Sequence, residues 1–175
     1  MQTISTPIQL KKIIFSWFSF LVLFLVSSSS IAFKEIESVQ AQQQEQNQTA
    51  LVSIGGVNIL SSLATTPESQ SKGLAIKDSL NENEGMLFIF ESPQKYSFWM
   101  KDMKFPIDII WINSAGKIVH IEKNLSPCVF LLPCPSYTPN EDSLYVLEVV
   151  SNFTNKFDID IGDAVGSKVI KQSQS

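Results

Sequence analysis

The sequence predicts a β-rich α+β fold: a compact sheet with an open-barrel-like core of about seven strands and one or two short flanking helices. Three observations carry this expectation. The apolar runs GMLFIF, IDIIWI and LYVLEVV are six or seven residues long and bounded by turn residues, the length of strands rather than of helices. Gly55-Gly56 divides LVSI from VNIL, as a hairpin turn needing positive φ would. One stretch, TTPESQSKGL, carries both the start and the stop residues of a helix.

The chain divides into three parts. Residues 1–32 hold Lys11 and Lys12, then the uncharged run Ile13 to Val26, then SSSSIAF. A positive start, an apolar middle and a small-residue exit make a signal peptide or an N-terminal membrane anchor. Ser30-Ile31-Ala32 and Val39-Gln40-Ala41 are the candidate cleavage sites. Either outcome places the remainder outside the cytoplasm, secreted or held on the outer face of the cell membrane. Residues 33–49 are Gln-rich and nearly free of aromatics, so they bury too little apolar surface to order themselves and read as a linker.

The folded domain is expected over 50–172. Two strands flank Gly55-Gly56. A short helix follows, with Thr66 as N-cap, Pro67 at the first helical position, Glu68 at the positive end and Gly73 just past the last turn. GMLFIF (Gly85 to Phe90) and IDIIWI (Ile107 to Ile112) are buried strands, and Ser114 to Lys117 turns the chain into KIVHIE. LYVLEVV (Leu144 to Val150) is a strand, NFTNKF a helical turn, and AVGSKVI the last strand.

Composition narrows the function. All 13 cationic side chains are lysine, and the net charge is -4. Bidentate recognition of phosphate favours the planar guanidinium, so a chain without arginine is poorly equipped as a phosphate clamp. An acidic chain without a basic stripe is a poor nucleic-acid binder. Contact with a membrane is expected only through the N-terminal segment. No cofactor is implied: Gly55-Gly56 lacks the spacing of a nucleotide-binding loop. His120 is the single histidine, so no second one completes a zinc set, and no G-x-S-x-G accompanies it for a hydrolytic triad.

Several blocks occur in order: TTPESQSKGL, EGMLFIF, FWMK, PIDIIWI, GKI, YVLEV and GD. Together they resemble the family called domain of unknown function 192 over roughly Val57 to Ile170. That resemblance implies a compact β-rich α+β domain, often exported, and supplies no established activity. It also marks departures. The family usually has arginine where Lys72 and Lys77 stand, and a small polar residue where Met103 stands. If those arginines grip an anion, this member grips it less well; if they only make surface pairs, lysine serves.

Two carboxylates stand out by strand alternation. Past Pro106, Asp108 shares a face with Ile110 and Ile112. A lone buried carboxylate is costly, so it needs a partner. The expected partner is Lys101 or Lys104, with Trp99 and Met100 forming part of the wall. A structural ion pair, or bonding of Asp108 to backbone N–H groups of the turn, stays open beside a ligand site. Glu148 lies on an apolar face with Val146 and Val150. If its strand neighbours that of Asp108, both acids could face one cleft with Lys101 and Trp99; an outward edge-strand glutamate is the alternative. Cys128 and Cys134, an even pair in an exported chain, favour a disulfide. Its loop carries Val129, Phe130, Leu131 and Leu132, as core cover or as a binding lip. Asn47, Asn124 and Asn152 head Asn-x-Ser/Thr triplets, which an exported protein can glycosylate.

The function these readings favour is an exported binding module for a small polar or envelope-derived ligand, with Trp99, Lys101, Asp108 and Glu148 as tentative site residues and no catalytic residue assigned. The alternatives are a structural or interaction domain tethered to the membrane, and a carboxylate-dependent hydrolase using Asp108 and Glu148.

Overall fold

The structure, a computed structural model, describes residues 48–128 and 133–170. The leader and nearly all of the linker, the loop residues Val129 to Leu132, the end of the expected domain at 171–172 and the triplet at Asn47 lie outside the described residues.

The elements run β1 (Thr49–Ile54), β2 (Val57–Ala64), α1 (Pro67–Lys72), a 3-10 turn (Gly73–Ile76), β3 (Glu84–Gln94), β4 (Phe98–Trp99), β5 (Ile107–Ile112), β6 (Ile118–Leu125), β7 (Ser136–Tyr137), β8 (Ser143–Val150), α2 (Phe153–Lys156) and β9 (Val165–Ile170). Seven strands form one mixed sheet in the order β6-β5-β8-β3-β2-β1-β9, and β4 pairs with β7 in a separate ribbon. Every pairing in the large sheet is antiparallel except β2 with β3, whose connection carries α1.

The local signals act where expected. Gly55 and Gly56 take φ of 55° and 76° in the β1–β2 turn. Thr66 caps α1: its hydroxyl accepts from Ser69 N–H at 3.2 Å, and Ser69 Oγ accepts from Thr66 N–H at 3.0 Å. The two-residue strands β4 and β7 were not expected; segments so short carry no alternation to read.

The sheet curls but does not close. Lys117 and Ala164, just before β6 and β9, form an isolated bridge between its two edges. Curling explains why Ala50, Val52 and Ile54 of β1 share a core with Ile110 and Ile112 of β5, four places away in strand order. Leu87, Leu147, Val149 and Phe153 complete that first core. A second core lies on the opposite face, where Met86, Phe88, Val146, Ile107, Ile109 and Trp111 meet Leu74 and Met100. Trp111, fully buried, donates from Nε1 to the Tyr96 carbonyl at 2.8 Å and so ties the β3–β4 connection over this face.

Cys128 and Cys134 are joined, their Cα atoms 5.5 Å apart. Closing so short a loop stabilises by about 2 kcal/mol in the chain-entropy model. Replacing both cysteines with serine is therefore expected to lower the denaturation midpoint of oxidised protein while leaving reduced protein unchanged, checked by urea titration with and without reductant.

Candidate functional site

The strand register decides what becomes of the two acids. Across the β5–β8 pair, Ile109 stands opposite Glu148, and Asp108 opposite Val149. Directly opposed residues share a face and successive residues alternate, so Asp108 and Glu148 point to opposite sides of the sheet. The cleft expected between them does not form.

Asp108 is fully buried on the side of the first core. Its Oδ1 accepts from the backbone N–H groups of Asn124 at 2.8 Å and Asn152 at 3.1 Å. Its Oδ2 accepts from Thr154 N–H at 2.9 Å and Thr154 Oγ1 at 2.6 Å. Asn152 stands at the N-cap of α2 with φ 69° and makes no side-chain cap bond. Asp108 thus caps α2 from another strand, its two oxygens satisfied by oriented N–H and O–H donors rather than by a cation.

The expected lysine partner is thereby corrected. Lys104 Nζ pairs with Asp78 Oδ1 at 2.5 Å, and Lys101 Nζ lies 5.8 Å from the Trp99 ring centroid. Proximity in sequence misled here: Lys104 finds its anion at Asp78, and Lys101 stands with Trp99 at the cavity on the other face from Asp108. Of the alternatives weighed above, bonding to backbone N–H groups is what the structure has, but the donors are Asn124, Asn152 and Thr154 rather than those of the neighbouring turn.

Glu148 is buried on the second face, 4% exposed, with Met86 of β3 and Ile109 of β5 as its strand partners. The chain passes closely over it. Gly73 ends α1 with φ 51°, and a Cβ there would stand 3.6 Å from Glu148 Oε2 and 3.4 Å from Phe88 Cζ. The Leu74 backbone N–H bonds the carboxyl, and Oε2 has no protein hydrogen-bond partner among the described residues. Burial disfavours the charged form and pushes the carboxyl up to about 8, against a smaller opposing pull from Leu74 N–H. Burial thus favours the protonated form of Glu148 at neutral pH.

Beside this acid opens a cavity of about 390 Å³, within the size range of small-molecule sites. α1 and the 3-10 turn form one wall, the Tyr96–Trp99 segment with Lys101 the other, and Phe88, Phe90 and Glu148 line it from the sheet. The aromatic groups brace each other. Phe90 stacks on Tyr96 with centroids 3.5 Å apart, and Phe98 meets Phe88 edge-on at 4.9 Å. Trp99 is 57% exposed. Three of the four tentative residues, Trp99, Lys101 and Glu148, therefore line one cavity, and Asp108 does not.

Sequence reasoning missed the wall formed by Leu74, Phe90, Tyr96 and Phe98. Alternation on β3 places Phe88 and Phe90 on one face, but only the non-local docking of β4 shows that the face carries a cavity. Lys72, noted above as a departure from the family pattern, lines the cavity and pairs with Glu68 at 2.6 Å. Lys77 lies 3.9 Å from Glu84, away from it. His120 makes one bond, to Glu122 at 3.1 Å. Among the described residues, no group of three or more His, Cys, Asp or Glu side chains gathers to hold a metal ion. No helix among them is long and apolar enough to cross a membrane.

Comparison with known proteins gives the following. Residues 50–167 match the family model DUF192, described as an uncharacterized ACR. The chain is similar to a candidate transcription regulator from Sinorhizobium meliloti 1021, with 25% identity, a TM-score of 0.60, and coverage of 69% of this chain and 92% of that one. It is also similar to a protein of unknown function from Novosphingobium aromaticivorans DSM 12444, with 28% identity, a TM-score of 0.61, and coverage of 67% and 83%. No curated protein matches it.

Proposed function

The chain belongs to the DUF192 family, and from that premise we propose that its domain is a binding module for a small polar ligand, taken up in the cavity beside Glu148. One observation carries this reading: a buried acid with an unpartnered oxygen lines an aromatic-walled cavity of ligand size. Buried polar atoms are nearly always paired, so an acid oxygen that the protein itself leaves without a partner marks a place for a bond from outside the chain. The aromatic walls supply contact area with little conformational freedom to lose.

The hydrolase alternative needs two carboxyl groups across one substrate. Among the described residues Glu148 is the only carboxyl group lining the cavity, and Asp108 is consumed on the other face. Nor does the description of the Sinorhizobium neighbour transfer readily, because a chain with net charge -4 and no arginine suits nucleic acid poorly. We place the module outside the cytoplasm, secreted or anchored, on the strength of the Lys11-Lys12 and Ile13 to Val26 segment together with the Cys128–Cys134 bridge. The ligand is then a small polar compound of the cell envelope or its surroundings.

Trp99, half exposed at the mouth, is the natural reporter. Titrating the protein with envelope-type probes (N-acetylglucosamine, glycerol phosphate, free amino acids) should change its fluorescence saturably for at least one class. Trp99→Ala, followed by calorimetric titration because the reporter itself is removed, should weaken that binding about tenfold, the loss of roughly 1.4 kcal/mol of stacking. Absence of saturable binding for every probe, or binding indifferent to Trp99→Ala, would leave the structural-domain alternative standing.

A further inference from the structure

Most polar groups of the cavity are already used by the protein. Gln70 Nε2 donates to the Ile89 carbonyl at 2.9 Å, the Tyr96 hydroxyl to the Ser92 carbonyl at 2.7 Å, and Lys72 to Glu68. Ser97 Oγ is bonded to Thr138 Oγ1 at 2.7 Å. Two ionisable side chains lining the cavity remain, and they are of opposite kind. Glu148 Oε2, deep in the cavity wall, lacks a protein partner among the described residues. Lys101, exposed over Trp99, lacks an anion: it has no ion-pair partner among the described residues.

We propose that the cavity selects an amino-carboxylate zwitterion, its ammonium seated against Glu148 and its carboxylate against Lys101. This rests on the binding-module reading above and names its ligand class. A neutral sugar supplies donors to Glu148 but leaves Lys101 without a counter-ion. A simple anion seated on Lys101 brings Glu148 neither a donor nor an acceptor from the rest of its body. An organic cation satisfies Glu148 and meets the uncompensated charge of Lys101. A ligand with both groups completes both ends, and an ammonium does so with an ion pair where a hydroxyl would give a hydrogen bond alone. The aromatic walls favour the cationic end further, since ring faces attract ammonium groups.

The chemistry has a proton signature. In the empty cavity burial holds Glu148 protonated. When an ammonium arrives, ion pairing favours the carboxylate, and the displaced proton leaves to solvent. The other ionisable groups facing this space are Lys72, held by Glu68, Lys101 and the Tyr96 hydroxyl. The strand partners Met86 and Ile109 contribute none. Proton release is therefore assigned to Glu148.

The test is calorimetric titration of the full chain at pH 7, in two buffers of different protonation heat. The probes are the ω-amino acids from 4-aminobutyrate to 8-aminooctanoate, phenylalanine, hexylamine, hexanoate and N-acetylglucosamine. At least one amino-carboxylate should bind about tenfold or more tighter than both hexylamine and hexanoate, with release of close to one proton. Glu148→Gln should abolish the proton release, and Lys101→Met should erase the advantage over hexylamine. Lys101 is exposed, so its variant tests the proposal even if Glu148→Gln fails to fold. Binding of hexanoate or N-acetylglucosamine in preference to every zwitterion, or zwitterion binding without proton release, would overturn the ligand class and leave the cavity a binding site. If no probe binds, the ligand class falls; if the envelope-type probes also give no response dependent on Trp99, the binding-module reading falls with it.

Discussion

Asp108→Asn is expected to destabilise the domain by about 2–6 kcal/mol, two buried donors left without an acceptor at roughly 1–3 kcal/mol each, the largest loss of stability of any isosteric change considered for this chain. The carboxylate accepts four hydrogen bonds, two on each oxygen. Bonds to a charged group contribute roughly 1.5–3 kcal/mol each, and they are not additive. An amide puts an N–H₂ donor where one pair of donors now points, so whichever way it turns, two N–H or O–H groups lose their acceptor. Three of those groups belong to backbone that Asp108 fixes: Asn124 and Asn152, both at positive φ, and the first turn of α2. Urea denaturation measures the loss. Because Asp108 faces away from the cavity, ligand binding per folded molecule should not change. A loss of binding without a loss of stability would restore Asp108 to the site.

The second large effect concerns pH. Glu148 titrates near 8 in the folded protein against an ordinary value of 4.5. The folded state therefore holds this proton more tightly than the unfolded chain. The stability associated with Glu148 is fully present below about pH 4.5 and is lost as pH rises toward about 8, at up to about 1.4 kcal/mol per pH unit. Glu148→Gln removes the titration and keeps the shape. The variant should match the parent near pH 4.5 and exceed it by roughly 3 kcal/mol or more at pH 8. Glu68, Asp78 and Glu84 act in the opposite range: their lysine or asparagine partners hold their carboxyls below the ordinary value, so the stability they give is lost as pH falls through acid values. Denaturant midpoints of both proteins from pH 5 to 9 separate the two contributions. Parallel curves would mean that Glu148 is charged in the native state.

Much of this fold was legible in the sequence because its signals are local. Gly55-Gly56 and the Thr66–Gly73 helix are set by residues within one turn, and the strand IDIIWI was found with its observed bounds, Ile107–Ile112. Alternation alone picked out Asp108 and Glu148 as acids on apolar faces, and both are buried. The pairing register, however, is set by contacts distant in sequence, and a shift of one residue moves a side chain to the other side of the sheet. The joint cleft was lost at that step. Lys104 finds its anion 26 residues away at Asp78, which nearness to Pro106 could not reveal. The cavity wall depends on β4 docking against a ribbon partner at Ser136–Tyr137, again a non-local event.

The central claim is that the empty cavity keeps Glu148 protonated and short of a partner. Its most direct test is a carbon-13 carboxyl NMR titration of Glu148 in the ligand-free chain. A midpoint near 8 is expected, dropping when an amino-carboxylate probe is bound. A midpoint at the ordinary carboxylate value of 4.5 in the empty protein would contradict the claim and remove the basis for both the site and its ligand class.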